Sequence, residues 1–142
     1  MAITGLNFTK LSVDKTQPVK APLKINSGLS VKKLEKADIP DAKGDLTLRF
    51  DFEYNLKYDP KIAEMIIQGN VLYTGKEKEM QAILKEWKKN KKVDPNLVKA
   101  VINVALVRCN MKAIMLAEQV SLPPHIRFQT ISSKKGKSSY IG

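Results

Sequence analysis

Apolar and polar side chains alternate without a break across residues 45–59. A period of two over this length predicts a long β-strand with one apolar face and one face in solvent. At ~3.4 Å per residue such a strand spans roughly 50 Å, so we expect an open sheet covered on one side rather than a small closed barrel. The apolar positions are Leu46, Leu48, Phe50, Phe52, Tyr54, Leu56 and Tyr58.

Three more segments are predicted to join the same sheet. Residues 2–13 form a strand whose apolar pattern slips in phase twice, which indicates bulges. Residues 14–22 contain two prolines and predict a loop or crossover. Alternation returns in residues 22–36, and residues 62–74 follow a Pro-containing turn, so they should pair with residues 45–59 as a central hairpin. The phase slips separate Ile3 from Leu6 and Phe8 from Leu11.

The period becomes helical after Gly75. Residues 76–92 carry apolar side chains at helical spacing among many Lys and Glu residues, which predicts an amphipathic helix. A second helix is predicted from Asp94, as N-cap, and Pro95, at the first helical position, to about Val120. The apolar positions of the first helix are Met80, Ile83, Leu84 and Trp87.

The second predicted helix is apolar at nearly every angle around its axis. A helix of this kind is buried on most sides or shares a subunit interface. One sheet in a chain of 142 residues cannot enclose it, so we expect part of it to contact a second copy in a dimer or tetramer. The residues assigned to this interface are Val101, Val104, Arg108 and Met115.

Length and composition favour a single domain. The chain predicts one α+β domain over residues 1–131, with a four-stranded antiparallel sheet and two C-terminal helices packed on one face. Residues 132–142, rich in Ser, Gly and Lys, predict a flexible basic tail. The first residues lack the pattern of a signal peptide, and Arg108 and Lys112 interrupt the longest apolar stretch. We therefore expect a cytoplasmic protein that does not insert into membranes.

The formal net charge of +11 raises the alternative of a nucleic-acid-binding protein that uses the Lys-rich helix 76–92. Arginine, the residue most used to contact base edges, occurs only at positions 49, 108 and 127, which weakens this alternative. Lys enrichment together with many Glu residues also fits a thermophilic protein. A solvated basic surface is the simpler interpretation.

Candidate catalytic chemistry is sparse. A single cysteine, Cys109, excludes an intramolecular disulfide, and a single histidine, His125, excludes a multi-histidine metal site within one chain. No phosphate-binding glycine motif is present. Asp51 and Glu53 share a strand face with Arg49, which favours ion pairing over acid–base catalysis. We expect no enzyme activity, cofactor or metal, and we keep an enzyme site built between subunits as a third alternative.

Four large apolar residues lie in segments without a clear core pattern. Apolar side chains of this kind mark contacts with partners or with unfolded polypeptides. We predict that they bind client polypeptides. They are Phe8, Trp87, Ile126 and Phe128.

The order of four strands, with a crossover after the first, and two helices resembles the SecB-like export chaperones. The resemblance is carried by the central hairpin 46–73, the run Gly69–Gly75 that leads into a helix, and Cys109-Asn110 followed by Leu122-Pro123-Pro124. Residues 45–131 look similar to archaeal proteins related to this group. The resemblance implies an oligomeric holdase that binds unfolded polypeptides in apolar grooves.

Two departures from the bacterial members are evident. Those members are acidic, whereas this chain is strongly basic. They often carry a Cys/His zinc-binding tail for a motor partner, and residues 132–142 contain neither Cys nor His. Docking to that motor is therefore not expected.

Overall fold

A computed structural model describes residues 2–126. Four β-strands are followed by two α-helices, and both helices pack on one face of the sheet, so the predicted α+β class and architecture are confirmed. The elements are β1 (Ala2–Lys15), β2 (Lys24–Lys36), β3 (Asp45–Asp59), β4 (Ala63–Lys76), α1 (Glu77–Asn90) and α2 (Pro95–Gln119).

All strand pairs are antiparallel, and the strand order is β1-β4-β3-β2. The predicted central hairpin of β3 and β4 is confirmed. β1 and β2 therefore form opposite edges of the sheet, and the connection between them passes the β3–β4 turn. There Thr16 donates from its backbone N–H to the Ile62 carbonyl over 2.8 Å and from its hydroxyl to the Lys61 carbonyl over 2.7 Å.

Register shifts explain the phase slips of β1. The pairing with β4 shifts between Ile3 and Gly5 and again between Phe8 and Lys10, as the sequence predicts. Each extra residue returns the apolar side chains to the face that α2 covers. β2 contains a similar shift between Val31 and Lys33, which the sequence analysis did not anticipate.

The core lies between the sheet and the helices. Every second residue of β3 from Leu46 to Tyr58 is buried, as the alternation predicts. β4 contributes Met65, Ile67 and Val71 to the same layer. The opposite face of the sheet is polar, and there Arg49 donates to Asp51 over 2.9 Å and to Glu35 on β2 over 3.0 Å. Arg49 and Glu35 thus form a mixed-charge pair across two strands, as predicted for this face, whereas Asp51 pairs with Arg49 within β3.

α2 begins as its sequence predicts. The Asp94 carboxylate accepts a hydrogen bond of 3.1 Å from the Asn96 backbone N–H, and Pro95 occupies the first helical position, where a missing N–H has no cost. One side of α2 packs on the sheet through residues spaced four apart. They are Leu97, Val101, Ala105, Cys109, Ala113 and Ala117. Four of these six are small, which brings the helix axis close to the sheet.

Gly69 of β4 lies where two aromatic rings meet. It pairs with Phe8 on one side and Phe52 on the other, and those rings pack edge to face with centroids 6.4 Å apart. A Cβ atom at this position would lie 2.3 Å from the Asn7 carbonyl oxygen and 2.9 Å from the Phe52 ring. A glycine is required here by close approach of backbone and ring.

Candidate polypeptide-binding and assembly surfaces

The outward side of α2 exposes an apolar stripe. Val107, Met111 and Met115 follow one another at four-residue spacing and are 60%, 57% and 58% exposed. They lie opposite the residues that pack on the sheet. This exposed stripe is a surface available to the second-chain contact that the sequence predicts.

The outward apolar residues of α2 also repeat with the spacing of a coiled-coil seam. Ala100, Val104, Val107, Met111 and Ile114 are separated by steps of four, three, four and three residues. This 3.5-residue period keeps one seam facing a partner helix along its whole length. We name Val104, Val107, Met111, Ile114 and Met115 the outer stripe.

The residues assigned to a subunit interface from sequence divide into two groups. Val104 and Met115 belong to the outer stripe, and Arg108 is exposed beside it. Val101 is fully buried against the sheet of its own chain, so its side chain is not available to a second subunit. The sequence placed Val101 wrongly because every angle of α2 is apolar, and hydrophobicity alone does not separate the sheet side from the outward side.

Phe8 is held within the chain. Its ring packs on Phe52, while the Arg108 guanidinium and the Lys112 ammonium lie 5.7 Å and 5.4 Å from its centroid. Such cation–π contacts fasten the edge strand β1 to α2. Phe8 is consequently a poorer candidate for client binding than the sequence suggested.

A shallow groove lies where α1 passes into α2, and we call it the junction groove. Its volume is about 720 Å³, within the range of sites that hold a few side chains. Its floor is apolar, from Val93, Pro95, Val98 and Ile102, and Lys91, Lys92 and Lys99 form a basic rim. Trp87 lies half-buried nearby, with the Lys91 ammonium 5.4 Å from its ring centroid.

The other two predicted client-binding residues lie near the end of the described chain. Ile126 is 38% exposed. Phe128 and the predicted tail of residues 132–142 lie outside the described residues. Among the described residues, Trp87 lies near the junction groove through its contact with Lys91, whereas Phe8 and Ile126 do not line it.

A polar cluster inside the sheet–helix layer was missed by the sequence analysis. The Asn110 side-chain oxygen accepts a hydrogen bond from the Tyr54 hydroxyl over 3.0 Å and lies 2.9 Å from His125 Nε2. Burial raises the pKa of Tyr54 to about 12 and lowers that of His125. An asparagine inside an otherwise apolar helix was the available signal, because a polar group there needs a partner.

Cys109 is expected to be unreactive. Its thiol is buried against the sheet, and burial raises its pKa to about 12 from an ordinary 9.0, which lowers the thiolate fraction by roughly three orders of magnitude. Labelling by a thiol-specific reagent at pH 8 should therefore be slow in the native protein and become fast in urea. Rapid labelling of the native protein at the rate of a free thiol would contradict this placement.

No group of three or more His, Cys, Asp or Glu side chains within residues 2–126 is arranged to hold a metal ion. His125 contacts Asn110 and Tyr54 rather than a nucleophile or a carboxylate.

By length and composition α2 is also able to cross a membrane. A helix that packs in the core of a folded domain can be equally long and apolar. Here six residues of α2 are buried on the sheet, and the helix carries Lys99, Arg108 and Lys112. These contacts give its apolar character an explanation within the fold.

Comparisons with known proteins find similarity among solved structures but not among sequences. No family model matches the sequence, and no curated protein matches it. Among solved structures, a SecB-like chaperone of Mycobacterium tuberculosis in complex with a peptide from an antitoxin is similar, with a TM-score of 0.46 and 12% sequence identity. The alignment covers 94% of this chain and 91% of that chain. A likeness of this size carries no functional inference for the present chain.

Proposed function

We propose that the chain is a non-enzymatic, cytoplasmic chaperone that assembles as a homo-oligomer and holds unfolded polypeptides. The observation that carries the proposal is the outer stripe. Three large apolar side chains remain more than half exposed on one helix, although the chain has a complete core of its own. Contiguous exposed apolar surface on a folded protein marks a contact with another polypeptide.

The 3.5-residue spacing of the outer stripe supports a second copy of the chain as its partner. Helix-to-helix contact along such a seam places apolar residues of both chains in one layer. We propose a dimer formed in this way, with a tetramer as the larger assembly.

The junction groove supports client binding at a second place. Its floor suits the apolar side chains of an extended polypeptide, and Trp87 adds an aromatic surface beside it. We propose that clients bind in this groove, and the relation to archaeal SecB-like proteins remains a prediction.

Nucleic-acid binding is the alternative function. Helix α1 exposes Lys78, Lys85, Lys88 and Lys89, but Glu77, Glu79 and Glu86 are exposed on the same helix. The mixed charges give a weaker field than the net charge of the chain suggests. Salt dependence separates the two functions, because binding to phosphates releases counterions and weakens steeply as salt increases.

Aggregation of a chemically unfolded model protein should be suppressed by this chain at near-stoichiometric concentration. Apolar contacts carry the effect, so suppression should persist when salt is raised from about 50 mM to about 500 mM, whereas binding to a DNA or RNA oligonucleotide should fall by several orders of magnitude. Light scattering and fluorescence anisotropy measure the two activities.

A pair of substitutions, one inside the junction groove and one outside it, tests whether clients bind in this groove. Ile102→Lys places a charge on the apolar floor and should weaken suppression, while Lys85→Gln on the exposed side of α1 should leave it unchanged. Absence of suppression by the wild-type chain at both salt concentrations would refute the proposed function.

A further inference from the structure

The chain after α2 folds back over the sheet as a strap, which we define as Ser121–Ile126. Ser121 takes a left-handed conformation with φ of 55° and reverses the chain. Leu122 then donates its backbone N–H to the Ala117 carbonyl over 2.8 Å and is only 5% exposed. The strap is thus anchored at its start by the buried Leu122 and by the Lys15 ammonium of β1, which donates to the Ser121 carbonyl over 3.4 Å.

Two tyrosines of β3 form the floor beneath the strap. The Tyr58 hydroxyl donates to the Pro123 carbonyl over 2.5 Å, and the ring of Tyr54 packs edge to face with the ring of His125 at 6.4 Å. Both tyrosines are fully buried in the closed arrangement. Release of the strap would expose the two tyrosine rings together with the apolar surface on which Leu122 packs.

His125 is held in its neutral form by its contacts. The Asn110 oxygen can only accept, so Nε2 carries the proton, and Nδ1 is left without one. Nδ1 is buried and has no hydrogen-bond partner in the described part of the chain. Protonation would place a buried N–H and a positive charge where no group of residues 2–126 accepts them.

Within residues 2–126, no charged side chain contacts the His125 imidazole. Tyr54 and Tyr58 of β3 and Cys109 of α2 are titratable groups beneath the strap, and all three are neutral at pH 7. From β1, the Lys15 ammonium donates to the carbonyls of Val120 and Ser121 over 3.0 Å and 3.4 Å. β2 contributes the hydroxyl of Ser27 beside Tyr54. Burial is the cause that lowers the pKa of His125.

We propose that the strap is a pH-released cover, which lies closed over the tyrosine floor at neutral pH and opens when His125 is protonated. Release of the strap would add an apolar site for the polypeptides of the proposed function, and this binding step rests on the proposed function. The opening of the strap is independent of the proposed function. His125 is the single histidine of the chain, so it and the terminal amine are the groups that titrate between about pH 5 and pH 8.

The sign of the effect follows from the lowered pKa. The closed form binds the proton less well than the open form, so closure is favoured above the ordinary pKa of 6.5 and weakens as the pH falls below it. Each unit by which the closed-state pKa lies below 6.5 weakens closure about tenfold.

Hydrogen exchange and NMR of the sole imidazole test the proposal without any client. The His125 ring should titrate below 6.5, and the protection factor of the Leu122 amide should fall between pH 7.5 and pH 5, by up to about tenfold for each unit that the measured pKa lies below 6.5. The Phe52 amide, in the middle of β3, is the internal control and should keep its protection. His125→Gln should make the protection of Leu122 independent of pH.

Three results would overturn the proposal: an imidazole that titrates at or above 6.5, unchanged protection of Leu122, or parallel losses at Leu122 and Phe52 that report global opening. The NMR titration uses the wild-type chain, so it tests the proposal even if the His125→Gln variant fails to fold. Polypeptide binding at both pH values is then measured separately. If the strap opens as expected but no polypeptide binds at either pH, the proposed function is contradicted and the pH-dependent opening of the strap still stands.

Discussion

Replacing Gly69 with alanine should lower the free energy of unfolding by about 3 kcal/mol. The new Cβ would overlap the Asn7 carbonyl oxygen at 2.3 Å, and a backbone atom of the neighbouring strand cannot rotate away as a side chain can. The Phe52 ring, 2.9 Å from the same point, would have to move as well. Urea denaturation at fixed protein concentration measures the loss as a lower midpoint.

Gly28→Ala is the matched control for this prediction. Gly28 also lies in a strand, but no atom comes within 4 Å of an added Cβ. Alanine there should change stability by less than about 1 kcal/mol and toward greater stability, because glycine is the less favourable strand residue. Equal urea midpoints for the two variants would show that the contact between β1, β3 and β4 at Gly69 is not as close as described.

The double substitution Val107→Lys and Met111→Lys should convert the oligomer to monomers. A charge placed in an apolar seam is left without a partner when the helices meet, and residues at the centre of an interface contribute about 2 kcal/mol or more each. Each substitution should therefore raise the dissociation constant about 30-fold or more. Size-exclusion chromatography with light scattering gives the mass, and the far-UV spectrum reports whether the fold is kept.

Gln17→Lys with Gln81→Lys provides a control of equal added charge. Both residues are exposed and lie outside α2. This variant should keep the mass of the wild-type protein, so dissociation cannot be attributed to net charge alone. A wild-type chain that is a monomer at micromolar concentration would refute the proposed assembly, and an unchanged mass of the Val107/Met111 variant would place the interface elsewhere.

The architecture was predictable because the apolar period is unambiguous. β3 repeats with a period of two over its whole length, and the phase slips at Leu6 and Leu11 of β1 correctly mark its two register shifts. The N-terminus of α2 was predictable because Asp94 and Pro95 act locally. In each case the information lies within a few residues of the feature.

The sequence could not reveal features that depend on residues far apart in the chain. The pairing of β1 with β4 joins Leu6 to Val71, and no local pattern specifies that partner. The meeting of Tyr54, Asn110 and His125 depends on the reversal at Ser121. The outward side of α2 could not be identified from the sequence for another reason. Apolar residues occur at nearly every angle of the helix, so only its packing on the sheet shows which side is covered.

The order of strands has a consequence for synthesis on the ribosome. β2 with β3, and β3 with β4, are neighbours in sequence and can pair as soon as each emerges, whereas β1 emerges first and finds its partner last. At about 5–20 residues per second, the roughly 60 residues between paired positions take about 3–12 seconds to translate. Through that interval β1 is an unpaired strand with five large apolar side chains, and the nascent chain itself resembles the clients that we propose it binds.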